Sequence, residues 1–276
     1  MALRINTNIA ALNAHRQLTE TDNRLRVSME RLSSGYRINR SQDDVAGLSI
    51  ANKFRMEVRA LRSAQQNVAQ AQSLLQVAEG GTQKIEEIIE RLKELAISAS
   101  SDNVDADGRN RINAEAQQLL SEIDQLATDT KYAGNSLLSG TINLTFQVGS
   151  GNVNSEDRIN INTTSGLLSS NLGLNSISLS TIASAQSALD SLDNALVSVN
   201  LVVGEIGAAA SRLEFAAGNL AISIENLDAS HSTIRDVDMA FEMTNLTKNQ
   251  ILLQAGTAML AQANMVPQTV LALLGR

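Results

Sequence analysis

Apolar positions along the chain recur in steps of three and four residues over long distances, the spacing of one helical face. From about Leu3 to Leu32 they include Ile5, Ile9, Leu12, Leu18, Leu25, Met29 and Leu32, with a break in strict seven-residue spacing between Leu12 and Leu18. Ser33-Ser34-Gly35 predicts the end of this first helix, with Gly35 free to adopt a left-handed C-terminal cap. Ser41-Gln42-Asp43-Asp44 predicts the next start, Ser41 serving as N-cap and Asp44 standing at the third helical position. One line of the following seam is Phe54, Leu61, Val68, Leu75, Thr82, Ile89 and Ala96. The other is Ile50, Ala64, Ala71, Ala78, Ile85, Leu92 and Ala99, interrupted at Glu57. A rod of about 60 residues at about 1.5 Å each would be roughly 90 Å long. Gly80-Gly81 is the soft place in it.

Ser101 to Gly108 reads as an acidic turn, after which Ile112, Ala116, Leu119, Ile123 and Leu126 outline a second helix returning antiparallel to the first rod. The period then changes to two. In Thr141–Val148 apolar and polar residues alternate, Gly149-Ser150-Gly151 breaks the run, and Ile159 and Ile161 resume it, which predicts a β-hairpin lying on the bundle. The stretch Thr163–Ser180, rich in Ser, Asn, Gly and Leu, reads as ordered loop. The longest seam comes next. Ile182, Ala185, Leu189, Leu192, Leu196, Val199, Val203, Ile206, Ala210, Leu213, Ala217, Leu220, Ile224 and Leu227 follow without a polar miss. His231 ends it, and a subdomain boundary is expected at about 230–234. The expected fold is mainly α: an elongated antiparallel bundle or coiled coil of long helices with a small β-hairpin, its N- and C-terminal helices paired. Its segments are 1–43, 44–180, 181–232 and 233–276.

The last segment differs in kind. Between Asn249 and Gly275 no residue is charged, and eleven large apolar side chains wrap most of the helix, among them Ile251, Leu253, Met259, Leu260, Val266, Val270 and Leu273. A membrane span needs about 20 predominantly apolar residues, and Gln250, Gln254, Gln262, Asn264, Pro267 and Gln268 interrupt this run. Burial against protein is the remaining reading. Eleven such side chains at about 1.5–3 kcal/mol each offer at most roughly 16–33 kcal/mol. Association costs about 4–15 kcal/mol or more. The surplus can drive polymerisation, and one N-terminal helix can cover only one side of the tail. A helical oligomer with both termini at its centre follows as the expectation.

Composition sharpens this picture. Aromatic residues make up 2% of the 276 and there is one proline, whereas 43% are hydrophobic, which suits thin cores between close-packed helices. The net charge of −7 argues against nonspecific nucleic-acid binding. With no cysteine there is no disulfide framework, thiol nucleophile or zinc cluster. The start Met1-Ala2-Leu3-Arg4-Ile5-Asn6 does not read as a secretory signal, so the protein is expected to stay inside or to leave by a route that reads no cleavable leader. His15 and His231 sit in no metal-ligand motif, Asp43-Asp44 are explained as helix-start acids, and Gly80-Gly81 lacks the lysine and spacing of a phosphate loop. No catalytic, cofactor or metal site is expected, and the chain does not read as an enzyme.

Both ends resemble bacterial flagellin. The N-terminal resemblance rests on Arg4-Ile5-Asn6-Thr7-Asn8-Ile9-Ala10-Ala11-Leu12, on Leu32-Ser33-Ser34-Gly35-Tyr36-Arg37-Ile38-Asn39-Arg40 and on Asp43-Asp44-Val45-Ala46-Gly47-Leu48-Ser49-Ile50. The C-terminal one rests on Ser232-Thr233-Ile234-Arg235-Asp236-Val237-Asp238-Met239-Ala240, Thr247-Lys248-Asn249, Gln254-Ala255 and Ala258-Met259-Leu260-Ala261-Gln262-Ala263-Asn264. It implies a filament subunit whose terminal segments, 1–43 and 233–276, form an inner tube, the D0 layer. Residues 44–180 and 181–232 would form the surrounding D1 layer. The implied polymerisation core is Ile5, Ile9, Leu12, Ile251, Leu253, Met259, Leu260, Val266, Val270 and Leu273. The implied partners are further copies of the chain, the flagellar cap, hook-associated proteins and a flagellin export chaperone. Export would be unfolded, through the flagellar type III route, to an extracellular flagellum.

The segment Glu90-Arg91-Leu92-Lys93-Glu94-Leu95-Ala96 also resembles the stretch of flagellin read by a host Toll-like receptor, with Arg91, Leu95 and Glu115 as the matching positions. The family often has Gln where this chain has Glu90. Arg91 and Glu115 read equally well as polar residues on a packing face. A second departure is Lys131-Tyr132-Ala133-Gly134, a changed turn before the hairpin. Two rival readings share some of these features: a hook–filament junction protein, with similar terminal helices, and a signalling coiled coil, which explains neither the uncharged tail nor the hairpin.

Overall fold

The computed structural model describes residues 7–154 and 156–274, less the side chains of 266, 267 and 269–274. In chain order the elements are α1 (Ile9–Ser34), α2 (Val45–Ala99), α3 (Ala106–Asp129), β1 (Lys131–Tyr132), β2 (Asn135–Ser136), β3 (Asn143–Gln147), β4 (Arg158–Asn162), α4 (Ile182–Arg235) and α5 (Met239–Leu274). The fold is mainly α, and the predicted hairpin is present as β3–β4; the short β1–β2 hairpin stands where the sequence reads as a turn. Two compact units divide it. One spans residues 57–225; the other joins the two ends of the chain, up to residue 56 and from residue 226.

Helix boundaries follow local chemistry. Gly35 ends α1 at φ +74°, and its N–H donates to the Arg31 carbonyl at 2.8 Å, the left-handed cap expected there. The start of α2 differs from expectation. Ser41 is not the cap, and the helix begins at Val45, because Asp44 Oδ1 accepts the Gly47 N–H at 2.8 Å. Asp43 Oδ2 meanwhile accepts the N–H groups of Arg40 at 2.9 Å and Asn39 at 3.1 Å, holding the preceding turn. Helix α3 starts inside the predicted turn, at Ala106, with Asp105 as N-cap to Gly108.

In the central unit the α2 seam is buried at every predicted position from Leu61 to Ala99, including Thr82, whose Oγ1 donates to the Ala78 carbonyl at 2.8 Å. Nearer its start the phase is off by one: Ile50 is exposed, and Ala51 and Val58 face inward. On α4 one predicted line, Ala185, Leu192, Val199, Ile206, Leu213 and Leu220, is buried. The companion line is displaced by one residue. Ala188, Ala195, Val202 and Ala209 are buried, while Leu189, Leu196, Val203 and Ala210 are only half-buried. Periodicity marks a wide apolar stripe, and the neighbouring elements select which edge of it is buried. Helix α3 behaves alike, burying Leu120 and Ala127 and leaving Leu119 and Leu126 half-buried.

Ion pairs link these helices at their surfaces: Lys93 with Asp193 across α2 and α4, and Arg91 with Glu115 at 3.1 Å across α2 and α3. Such exposed pairs add little to stability. The loop 163–180 is ordered. It buries Leu167, Leu172, Leu174, Ile177 and Leu179, and α3 holds it through Asn113 to the Leu179 N–H, Gln117 to the Ile177 carbonyl and Asp124 to Ser169. Strands β3 and β4 pair antiparallel with Leu144 opposite Ile161 and Phe146 opposite Ile159, and Asn67 of α2 donates to the Gln147 carbonyl at 3.1 Å. The small β1–β2 hairpin turns through Ala133 (φ +50°) and Gly134 (φ +87°), two left-handed residues in succession, as a tight two-residue hairpin turn demands. Among the described residues α4 contains a stretch long and apolar enough, by length and composition, to cross a membrane. That helix also carries the bundle's longest seam.

Candidate assembly surface at the paired ends

Helices α1 and α5 lie antiparallel, tied at three levels. At one end Asn8 caps α1 by accepting the Ala11 N–H at 3.1 Å, and its Nδ2 donates to the Ala263 carbonyl of α5 at 2.8 Å. In the middle Gly256 faces Leu18, where an added Cβ would meet Leu18 Cδ1 at 3.5 Å. At the other end Arg31 Nη1 stands 3.8 Å from Glu242 Oε2. Beyond the helix ends the two linkers join by backbone hydrogen bonds, Arg37 N–H to the Arg235 carbonyl at 2.7 Å and Val237 N–H to the Gly35 carbonyl at 3.0 Å. The Arg235 guanidinium lies 4.3 Å above the Tyr36 ring, a cation–π contact. Helix α4 therefore runs through the expected boundary at 230–234. The break falls at Asp236-Val237-Asp238, and Asp238 Oδ1 accepts the Phe241 N–H at 3.0 Å to start α5.

The side chains buried between these helices are small or polar. On α1 they are Thr21 and Ser28; on α5 they are Glu242 and Asn249, each pair seven residues apart. Leu18, Leu25 and Leu32 of α1 flank these positions half-buried, and other large apolar residues face solvent. Ile9 is 54% exposed, Leu12 61%, Ile251 60% and Met259 64%, while Leu253 and Leu260 are half-buried. Of the remaining expected polymerisation residues, Ile5 lies outside the described residues. Val266, Val270 and Leu273 belong to α5, but their side chains lie outside the description. The polar seam is what periodicity of apolar residues misses. Its signal was present as the seven-residue spacing of Glu242, Asn249 and Gly256 within an otherwise apolar helix.

An open groove of about 570 Å³ runs beside this seam, bordered by Leu18, Leu252, Gly256 and Met259. No group of His, Asp or Glu that could hold a metal ion occurs among the described residues. His231 is half-buried with its Nε2 lacking a hydrogen-bond partner, and Asp43 and Asp44 are occupied by the turn before α2. The backbone N–H of Arg40 holds the Asp43 pKa below its ordinary value against a small opposing effect of burial, and the Asn39 N–H adds to the lowering. In the central unit Arg91 bonds both Glu94 and Glu115, and these bonds push its pKa up. Arg91 and Glu115 reach solvent together, whereas Leu95 is 6% exposed and faces the core.

Long paired helices with no catalytic or metal-binding group among the described residues, and with large apolar side chains left exposed, fit the class of helical structural proteins. Comparison with known proteins gives that class a family. The bacterial flagellin N-terminal helical region matches residues 5–143, and the bacterial flagellin C-terminal helical region matches residues 189–274. A flagellin from Halalkalibacterium halodurans is 42% identical over 98% of this chain and 99% of its own. A flagellin from Bacillus subtilis is 39% identical over 99% of this chain and 100% of its own. The flagellar filament 30.7 kDa core protein of Treponema maltophilum is 37% identical over 98% and 99%. The crystal structure of Bacillus cereus flagellin superposes with a TM-score of 0.50 at 25% identity, covering 56% of this chain and 88% of that one. The chain belongs to the bacterial flagellin family, whose members are structural subunits of flagellar filaments and not enzymes.

Proposed function

We propose that this subunit polymerises through α1 and α5 into the filament of an extracellular flagellum. The terminal segments, 1–43 and 233–276, pack in the inner D0 layer, and residues 44–232 form the surrounding D1 layer. One observation carries this reading: the paired helices bury Thr21, Ser28, Glu242 and Asn249 while leaving Leu12, Ile251 and Met259 mostly in water. Several large apolar side chains exposed on one helix pair point to an interaction site, and seven-residue spacing on long helices suits packing against like helices. Ile5, Ile9, Leu12, Ile251, Leu253, Met259, Leu260, Val266, Val270 and Leu273 form the contact between copies. The subunit travels unfolded through the flagellar type III route, kept dispersed by an export chaperone, and adds beneath the cap onto hook-associated proteins.

The test is filament growth from purified chain on filament seeds, followed by electron microscopy and sedimentation. A chain ending at Gln250 should grow no filaments while circular dichroism still reports the helices of residues 57–225. Normal filaments from the shortened chain would end the proposal.

A further inference from the structure

The seam between α1 and α5 uses the less apolar of the lines that α5 offers. Glu242, Asn249 and Gly256 face α1, yet Leu246, Leu253 and Leu260 form a parallel line that stays only half-buried. At about 100° per residue the two lines stand roughly 60° apart around the helix. On the opposite flank Leu252 and Met259 border the groove beside Leu18. A modest roll of α5 in either direction would place leucine or methionine in the seam and remove more apolar surface from water. Burial of apolar surface alone therefore does not select the observed setting.

A charged pair stands in the observed seam. Glu242 is 4% exposed, and the cation facing its carboxylate across the seam is Arg31, itself two-thirds buried. Arg24 and Lys248 border the same stretch of groove, but Arg24 is already paired with Glu20 on its own helix. Separating a buried carboxylate from its cation costs far more than the pair contributes when intact. On the α1 side Thr21 and Ser28 are the deeply buried residues, flanked by the half-buried Leu18, Leu25 and Leu32. We infer that Arg31 and Glu242 are positioning residues that fix the roll of α5 on α1, keeping its leucine and methionine flanks outside the seam for neighbouring copies. This rests on the assembly reading above.

The chain has no cysteine, so introduced thiols report orientation without background. Leu18→Cys is combined in turn with Gly256→Cys, Leu253→Cys or Leu252→Cys, and disulfide formation is measured in the full-length chain alone and after addition to filament seeds. With Arg31 and Glu242 intact, the pair at 18 and 256 should react most, and Arg31→Lys should preserve that pattern. In Arg31→Gln the reaction should move to 253 or 252, with seeded elongation slowed about tenfold or more. The exchange Arg31→Glu with Glu242→Arg should restore both the 18–256 reaction and growth. An unchanged pattern in Arg31→Gln overturns the inference. So does loss of all three reactions, which would mean that the helices part and do not turn. So does failure of the exchanged pair to recover the 18–256 reaction. If the intact chain forms the 18–256 bond but never elongates, the assembly reading fails and the orientation stands.

Discussion

Adjacent glycines in α2 give a controlled test of how tightly the central unit is packed. At Gly80 an added Cβ would meet nothing within 4 Å. At Gly81 it would meet Thr130 Oγ1 at 2.7 Å, Leu138 Cδ1 at 2.8 Å and Thr130 Cγ2 at 2.9 Å. Neither neighbour can yield easily: Thr130 Oγ1 donates to the Leu126 carbonyl at 2.7 Å, and Leu138 is 2% exposed. Replacing glycine by alanine inside a helix gains about 1 kcal/mol from backbone entropy at either position. Gly80→Ala should therefore stabilise the chain by about 1 kcal/mol. At Gly81 the same gain is opposed by overpacking of about 1–3 kcal/mol, leaving a net change between about zero and a 2 kcal/mol loss. The backbone contribution cancels in the comparison, so the two alanine variants should differ by about 1–3 kcal/mol, which is the steric cost alone. Urea unfolding of the monomer by circular dichroism measures it. At an m-value of about 2–3 kcal/mol per molar, a 2 kcal/mol difference separates the midpoints by roughly 0.7–1 M. Coincident midpoints, or a Gly81→Ala variant as stable as Gly80→Ala, would refute the close approach of Thr130 and Leu138 to α2.

Two further outcomes bear on the seam and on pH. Leu192→Ala should cost about 2–5 kcal/mol and Leu189→Ala clearly less, because Leu192 is 1% exposed and Leu189 half-buried; equal losses in urea unfolding would contradict the observed phase of α4. Asp43→Asn should destabilise the chain at neutral pH, and its deficit should shrink as pH falls. The folded-state pKa of Asp43 lies below the ordinary carboxylate value, so its contribution is present above that value and is lost as pH drops through the lowered one. A deficit in thermal unfolding that persists unchanged well below pH ~4 would contradict this.

Much of the architecture is legible in the order of residues, and the departures have a common cause. The seam of α2 from Leu61 to Ala99 was readable because one stripe of fixed period meets its neighbours along its whole length. On α4 the reading chose Leu189, Leu196 and Val203 where Ala188, Ala195 and Val202 are more deeply buried. At 188 and 195 the smaller residue is the buried one, but Val202 over Val203 involves no difference in size, so what decides the phase is the direction of the neighbouring element, a tertiary quantity. The start of α2 falls at Val45 and not after Ser41 because Asp44 is itself the cap to the Gly47 N–H, while Asp43 closes the preceding turn. At the ends, the uncharged tail was readable, while the seam of Thr21, Ser28, Glu242 and Asn249 was hidden by the assumption that a helix pair buries its apolar line.

The backbone join between the linkers brings together Arg37 and Arg235, and the Arg37 guanidinium also donates to the Ile234 carbonyl, 197 positions away. Closing a loop of that size from an unstructured chain costs roughly 5 kcal/mol in entropy, too much for a few exposed hydrogen bonds to repay unaided. The join therefore depends on the packing of α1 against α5 and on the folded residues between them to offset that cost. It acts as a completeness check: a chain truncated upstream of Arg235 lacks the carbonyl that Arg37 needs, and so cannot present two joined ends to a growing polymer.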